Sequence, residues 1–301
     1  MNIISPTLLQ DGWLQQVDAL QQQMNQVQQE ASTGLAFTTP AQNPVGTAAV
    51  IALDAQETQA QNFESAQATA SNVLQVVTGS LAGMTNVLQQ AEQLAITVNS
   101  ATGSQDTGAA AAQAAALVGQ LTNLLNTQTD GYYVFAAQNP TSAVATSVAL
   151  LNVPSSATVA PFTWELPVAP GLTTPISVNG FESGVMVGSV SGFSVALQAL
   201  NTLVAEIPGG STATAQGAIH QALDAITTAN AVAGTYQDMV QQSQSQMQTW
   251  LTTLQSQAAT TQDANMGQVV TDLSTEETVY QAALQAGSTL LKDNLWTVIK
   301  P

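Results

Sequence analysis

His220 is the only histidine in the chain, and cysteine is absent. Together these facts remove most metal and nucleophile chemistry. A structural zinc site needs several Cys or His ligands, and the H-E-x-x-H zinc helix needs two histidines. A Ser–His–Asp triad would have to recruit His220, yet nothing near it resembles a nucleophile elbow. Lying beside Ile219 in a helical stretch, His220 reads as a helix-surface residue. Glu276–Glu277 is the tightest carboxylate pair. Adjacent helix positions point about 100° apart, so a shared proton is implausible and the pair reads as a solvated helix start. Ser274 and Glu277 fit the S-x-x-E capping box, which predicts a helix boundary there. Gly180, Gly184, Gly188 and Gly192 are evenly spaced, but no G-K-[ST] follows them and no lysine lies nearby. They read as turn glycines between short strands, not as a phosphate loop. The sequence thus predicts no catalytic, cofactor-binding or metal-binding residue, no cofactor and no enzyme.

Composition narrows the classes further. The 301 residues hold 19 acidic side chains and only two basic ones, Lys292 and Lys300, for a formal charge of −17. Nucleic-acid binding needs cations to replace counterions on phosphates, and anionic lipid heads attract the same cations, so neither partner is expected. Only 7% of residues are charged, so Gln, Asn, Ser and Thr must carry most of the solvation. With 45% apolar residues in strong periodic order, this is not a charge-rich disordered tail. The scarcity of Lys and Arg fits an acidic exterior, where protonation of carboxylates with pKa about 4 would bring the charge towards zero near about pH 3. It also fits resistance to proteases that cut after basic residues, or plain drift in composition. Without cysteine there is no disulfide framework. The start, Met1 to Pro6, has no basic n-region and no long apolar core, so no Sec signal is expected. No stretch approaches the roughly 20 apolar residues of a membrane span.

The elements follow from hydrophobic spacing. A first helix is predicted over residues 7–31, with Trp13, Val17, Leu20, Met24, Val27 and Ala31 alternating four and three apart. The polar residues between them, Gln21–Gln22–Gln23 included, form a neutral outer face. Residues 32–45 hold Gly34, Pro40 and Pro44 and read as a loop. A long helix is predicted from 46 to 99, with Leu74, Val77, Leu81, Met84, Leu88, Ala91, Ala95 and Val98 on its seam. Gly79 and Gly83 interrupt it where two backbones are expected to approach. A third helix follows from 109 to about 129, with Leu117, Leu121 and Leu124 inward. Pro- and Gly-rich sequence then breaks the pattern, with strand candidates at 132–135, 148–153, 162–166, 176–178 and 185–190. Helical spacing resumes through Phe193, Leu197, Leu200 and Val204 until Pro208–Gly209–Gly210.

The longest seam runs from Ile219 through Leu223, Ile226, Asn230, Ala233, Gln237, Val240, Gln244, Met247, Leu251 and Leu254 to Ala258. It spans about 40 residues, or about 60 Å at about 1.5 Å per residue. Asn230, Gln237 and Gln244 occupy core spacing, where polar residues fix register at some cost in stability. Near the end, Leu273, Tyr280, Leu284, Leu291, Leu295 and Val298 form another seam. Residues three and four apart stack on one helix face, so these are coiled-coil seams. The predicted fold is mainly α: an elongated antiparallel helical coiled-coil rod from the N- and C-terminal segments, with a small β-rich inserted domain. Its expected divisions are an N-terminal assembly helix and loop (1–45), the first half of the rod (46–130), a β-rich insertion (131–192), the returning half (193–262) and a C-terminal assembly helix (263–301). Chain ends usually fray. Two amphipathic ends therefore predict a subunit whose termini meet each other, or neighbouring copies, in an assembly.

Four stretches carry a resemblance to a known family. Residues 32–45 hold Ser32, Gly34, Pro40, Asn43 and Pro44; residues 88–95 read Leu-Gln-Gln-Ala-Glu-Gln-Leu-Ala. Residues 126–136 contain Thr129-Asp130-Gly131-Tyr132-Tyr133-Val134-Phe135, and residues 273–301 form the terminal seam with Gln281-Ala282-Ala283-Leu284-Gln285-Ala286-Gly287. Together they resemble the flagellin superfamily, and within it the hook-associated protein 3 group. The loop departs from the family pattern: Leu35 and Ala36 stand where basic residues are usual, and Gln42–Asn43 where an acidic pair is usual. A salt bridge made there by the family cannot form here. The resemblance implies a rod-shaped structural subunit at the hook–filament junction or, alternatively, a filament-forming flagellin. A type III secreted tip or adhesin-like protein is a further alternative. It also implies flagellar type III export without a cleaved signal, and a cytoplasmic export chaperone over the C-terminal seam. The terminal helices would order on docking beside copies of the chain, a neighbouring hook-associated protein and flagellin.

Overall fold

A computed structural model of the chain describes residues 6–100, 107–136, 141, 144–147, 150–151, 163–178, 185 and 191–299, with the side chains of 6–10, 145–147, 150–151 and 290–299 left aside. The fold is mainly α. The long helices are α1 (Pro6–Thr33), α2 (Pro44–Ser100), α3 (Thr107–Leu125), α4 (Gly192–Glu206), α5 (Ala213–Gln262) and α6 (Met266–Ile299), with a 3-10 turn at Ile207–Gly209. Among the described residues, three antiparallel hairpins lie between α3 and α4: β1 (Gln128–Thr129) with β2 (Tyr132–Tyr133), β3 (Ala145–Ser147) with β4 (Leu150–Leu151), and β5 (Glu165–Ala169) with β6 (Leu172–Pro175). No helix among the described residues is long and apolar enough to cross a membrane.

Two compact units form. One contains residues 1–58 and 251–301, the other residues 59–250, so α2 and α5 contribute to both. In the larger unit, the α2 seam from Leu74 to Val98 is buried throughout. It shares one core with Leu117 and Leu121 of α3, Phe193, Leu197 and Leu200 of α4, and Ile219 and Ile226 of α5. Phe135, Val168, Ile176 and Val178 from the hairpin region belong to that same core.

Turn chemistry sets the hairpins. Asp130 and Gly131 both have positive φ, 53° and 82°, the two-residue loop that matches strand twist. Pairing of Gln128 with Tyr133 pulls residues 126–129 out of the helix that spacing predicts there. Pro170 and Gly171 (φ 73°) turn β5 into β6. The strand expected at 176–178 is displaced to Leu172–Pro175. Ile176 and Val178 instead plug the core, while Ser177 Oγ accepts the Trp164 N–H at 3.0 Å. Leu150 and Leu151 form a strand within the expected 148–153 segment, the rest of which lies outside the described residues, as does 186–190.

Three expectations are corrected. First, the second row of the α5 seam is Ala222, Ala229 and Ser243, all buried, instead of Leu223, Asn230 and Gln244. The small alanines face the core, Asn230 is exposed, and Gln237 and Gln244 sit half-buried at its edge. The polar anchor of this seam is Ser243: its Oγ donates to the Val168 carbonyl (2.9 Å) and accepts from Gln67 Nε2 (3.0 Å), which also donates to that carbonyl (2.6 Å). Second, Gly79 faces open space, and Gly83 receives the Leu124 side chain, not a neighbouring backbone. Third, Ser274 and Glu277 lie inside α6, so no capping box forms. The helix starts eight residues earlier, where the Asn265 side chain accepts the Gln268 N–H at 3.4 Å.

Candidate assembly surfaces

All the surfaces in question belong to the smaller unit. There α1 and α6 pack antiparallel along most of their described length. Trp13, Val17, Leu20, Met24, Val27 and Ala31 are buried or half-buried on α1, as is Glu30, and the other residues between them are exposed. The α1 seam, and Leu273 and Tyr280 of the α6 seam, are therefore covered, at least on one side, by the chain's own other end.

On α6 the inward row is Val269, Leu273, Glu276, Tyr280, Ala283 and Gly287. Leu273 and Tyr280 lie where the sequence pattern puts them. Leu284 falls outside this row and is 42% exposed. Leu291, Leu295 and Val298 continue its helix, with side chains outside the described residues. Ala283 and Gly287 are the residues that sequence reasoning missed. Leucine outweighs alanine and glycine in a hydrophobic pattern, although the same four–three alternation runs through both small residues. Their use is steric. The Trp13 indole N–H donates to the Ala283 carbonyl at 3.1 Å, and a methyl added at Gly287 would overlap the indole ring.

A second stripe on α6 remains open. Met266, Val270 and Leu284 are exposed (43%, 60% and 42%) and lie on one face, because about 18 residues make five turns at about 3.6 per turn, although exposed Glu277 interrupts that face midway between Val270 and Leu284. Elsewhere in the same unit, the starts of α2 and the end of α5 frame an open groove of about 500 Å³, lined by Ala49, Ala52, Leu53, Ser256 and Thr260 among others. Val45 and Ile51, at the start of α2, are 80% and 63% exposed.

The loop between α1 and α2 organises these helices. Gly34, with φ 73°, ends α1 while its N–H bonds to the Glu30 carbonyl at 2.8 Å. Ser32 lies in the last turn of α1 and donates to the Gln29 carbonyl at 3.0 Å. Two backbone bonds then fasten the loop to the α5–α6 turn: Ala36 N–H to Gln262 O (2.7 Å) and Ala264 N–H to Gly34 O (2.8 Å). The adjacent amides Gln42 and Asn43 are both employed. Gln42 Oε1 accepts the N–H groups of Thr38 (2.7 Å) and Thr39 (3.0 Å), across the turn that holds exposed Pro40. Asn43 is the N-cap of α2: its Oδ1 accepts the Gly46 N–H at 2.8 Å, and Pro44 follows at the first helical position. Phe37 is buried against Gly46, where a Cβ would come within 2.7 Å of its ring. Asn43→Ala should lower stability by about 1 kcal/mol, whereas Asn43→Asp, which keeps the acceptor, should change it little. Urea unfolding of the full chain reads this; equal losses in both variants would contradict the capping role.

His220 is on the surface of the larger unit, its side chain 63% exposed and its Nε2 3.5 Å from Glu92 Oε1. Glu276 is half-buried against α1 and Glu277 exposed, in mid-helix and not at a helix start.

Residues 4–140 match the family of the bacterial flagellin N-terminal helical region. No curated protein sequence matches the chain. Among solved structures, a Vibrio parahaemolyticus protein assigned to the flagellar hook-associated proteins shares the fold, with a TM-score of 0.62 at 14% identity over 73% of this chain and 99% of that one. Bacillus cereus FlgL aligns with a TM-score of 0.48 at 16% identity, over 70% of this chain and 97% of the other. Flagellar hook-associated protein 3 of Legionella pneumophila aligns at 0.45 and 13%, over 82% and 99%.

Proposed function

We propose that this chain, whose residues 4–140 match the bacterial flagellin N-terminal helical region, is a structural subunit of the bacterial flagellum that joins hook to filament and so supports swimming. The observation that carries this reading is the pairing of the two chain ends in a fold shared with a hook-associated protein, with the apolar side chains of Met266, Val270 and Leu284 still exposed on α6 beside the pair. Such side chains are stabilised when neighbouring subunits cover them. The subunit acts by assembly and not by catalysis. Its partners in this reading are copies of itself, the adjoining hook-associated protein and flagellin, with an export chaperone before secretion. It works outside the cell.

A filament-forming flagellin is the second reading, favoured by the family match itself, which is to the flagellin N-terminal region. A deletion strain separates the two. Loss of a junction subunit leaves intact hooks and releases monomeric flagellin into the medium. Hooks that carry normal filaments would overturn both readings, and an absence of flagellin from filament and medium alike would favour the second.

A further inference from the structure

We propose that the Val168 carbonyl fastens the β5–β6 hairpin to both long helices through two interchangeable donors, so that only the loss of both releases it. The hairpin register skips Val168: Pro167 pairs with Thr173 and Ala169 with Leu172, and the residue between them has no ladder partner. A bulge of this kind leaves its extra residue unpaired. Val168 is fully buried, and an unmet acceptor in a core is costly. Its carbonyl is met twice, by Gln67 Nε2 from α2 and by Ser243 Oγ from α5, and both of those residues are buried too. One carbonyl oxygen has two lone pairs and can accept both bonds. Apolar burial of Val168 and Ile176 holds the hairpin against the helices without direction. The paired bonds supply direction, and each alone is enough to satisfy the oxygen. Gln67 is there for more than stability, because its Oε1 is buried and accepts no hydrogen bond among the described residues. Gln67→Met therefore removes a donor and a costly orphan together, while Ser243 still serves Val168. Ser243→Ala leaves the carbonyl to Gln67. A bond from Thr174 Oγ1 to Met239 Sδ (3.3 Å) also joins β6 to α5, but it ends on a thioether, a weak acceptor, and does nothing for Val168. This device belongs to the subunit's own architecture and goes beyond the question of what the subunit joins.

Amide hydrogen exchange of the full-length chain tests this, with peptides covering β5–β6 (165–175) read against peptides covering α3 (107–125). Each single variant should change hairpin opening by less than about three-fold, because the carbonyl keeps a donor. Gln67→Met with Ser243→Ala should raise it about thirty-fold, equivalent to about 2 kcal/mol for an orphaned buried carbonyl. Gln67→Met with Ser243→Cys keeps a weak thiol donor and should fall between the Gln67→Met single and the alanine double. If the alanine double does not fold, the thiol double still decides: it should open more than Gln67→Met alone and less than about thirty-fold. A thirty-fold rise in either single would overturn the proposal. So would an alanine double no looser than the product of the two singles, or a thiol double outside its expected range.

Discussion

Leu284→Asp should leave the purified subunit folded, with an unchanged melting curve, and abolish its incorporation into the flagellum. The side chain is exposed in the chain by itself, so a carboxylate there remains in water and costs the monomer almost nothing. Covered by a neighbour, the same carboxylate would be buried without a cation. That costs several kcal/mol, and at about 1.4 kcal/mol per factor of ten it lowers subunit affinity more than a hundred-fold. Gln285→Asp adds the same charge at the adjacent exposed position and should assemble. Swimming assays and the subunit content of sheared appendages provide the readout. Normal incorporation of Leu284→Asp would remove the open α6 stripe from the assembly surface.

The largest loss of intrinsic stability should come from Phe193→Ala. Phe193 is fully buried at the start of α4 and meets Phe135 edge-on, with ring centroids 5.2 Å apart and planes at 72°. Deleting a buried phenyl ring destabilises by about 3–5 kcal/mol, because the cavity collapses only partly. For a unit of this size that is a fall of about 10 °C in melting temperature. The neighbouring Gly192 packs against the Val185 carbonyl and Ala225, which leaves the backbone little freedom to close the gap. Thermal unfolding followed in the near ultraviolet tests this. A loss below about 1 kcal/mol would mean that Phe193 is not part of a rigid core.

The helices were legible in the sequence because their seams are long, and many repeats average out local ambiguity. Predicted limits of 7–31 and 46–99 stand against Pro6–Thr33 and Pro44–Ser100. The hairpin region was less legible because short apolar runs serve equally as strands or as core plugs. Ile176 and Val178 took the second role, and the Pro170–Gly171 turn placed the strand before them. In α5, bulky Leu223 drew the predicted seam to one side, while Ala222 and Ala229 occupy the close approach. At the terminal pair, hydrophobicity singled out Trp13 but not Gly287, since a residue valued for what it lacks gives no signal in such a pattern. Ser243 and Gln67 are 176 positions apart in the chain, and nothing local announces their bond.

The clasp between α1 and α2 carries its polar bonds on amides, threonine hydroxyls and the backbone, through Gln42, Asn43, Thr33, Thr38, Ala36 and Ala264, and on no ion pair. Attractions between formal charges fade as dissolved ions screen them, over about 10 Å at about 0.1 M and about 3 Å at about 1 M. A neutral clasp has nothing to screen. The junction of these helices is thereby indifferent to salinity, and should hold alike in fresh water and in brine.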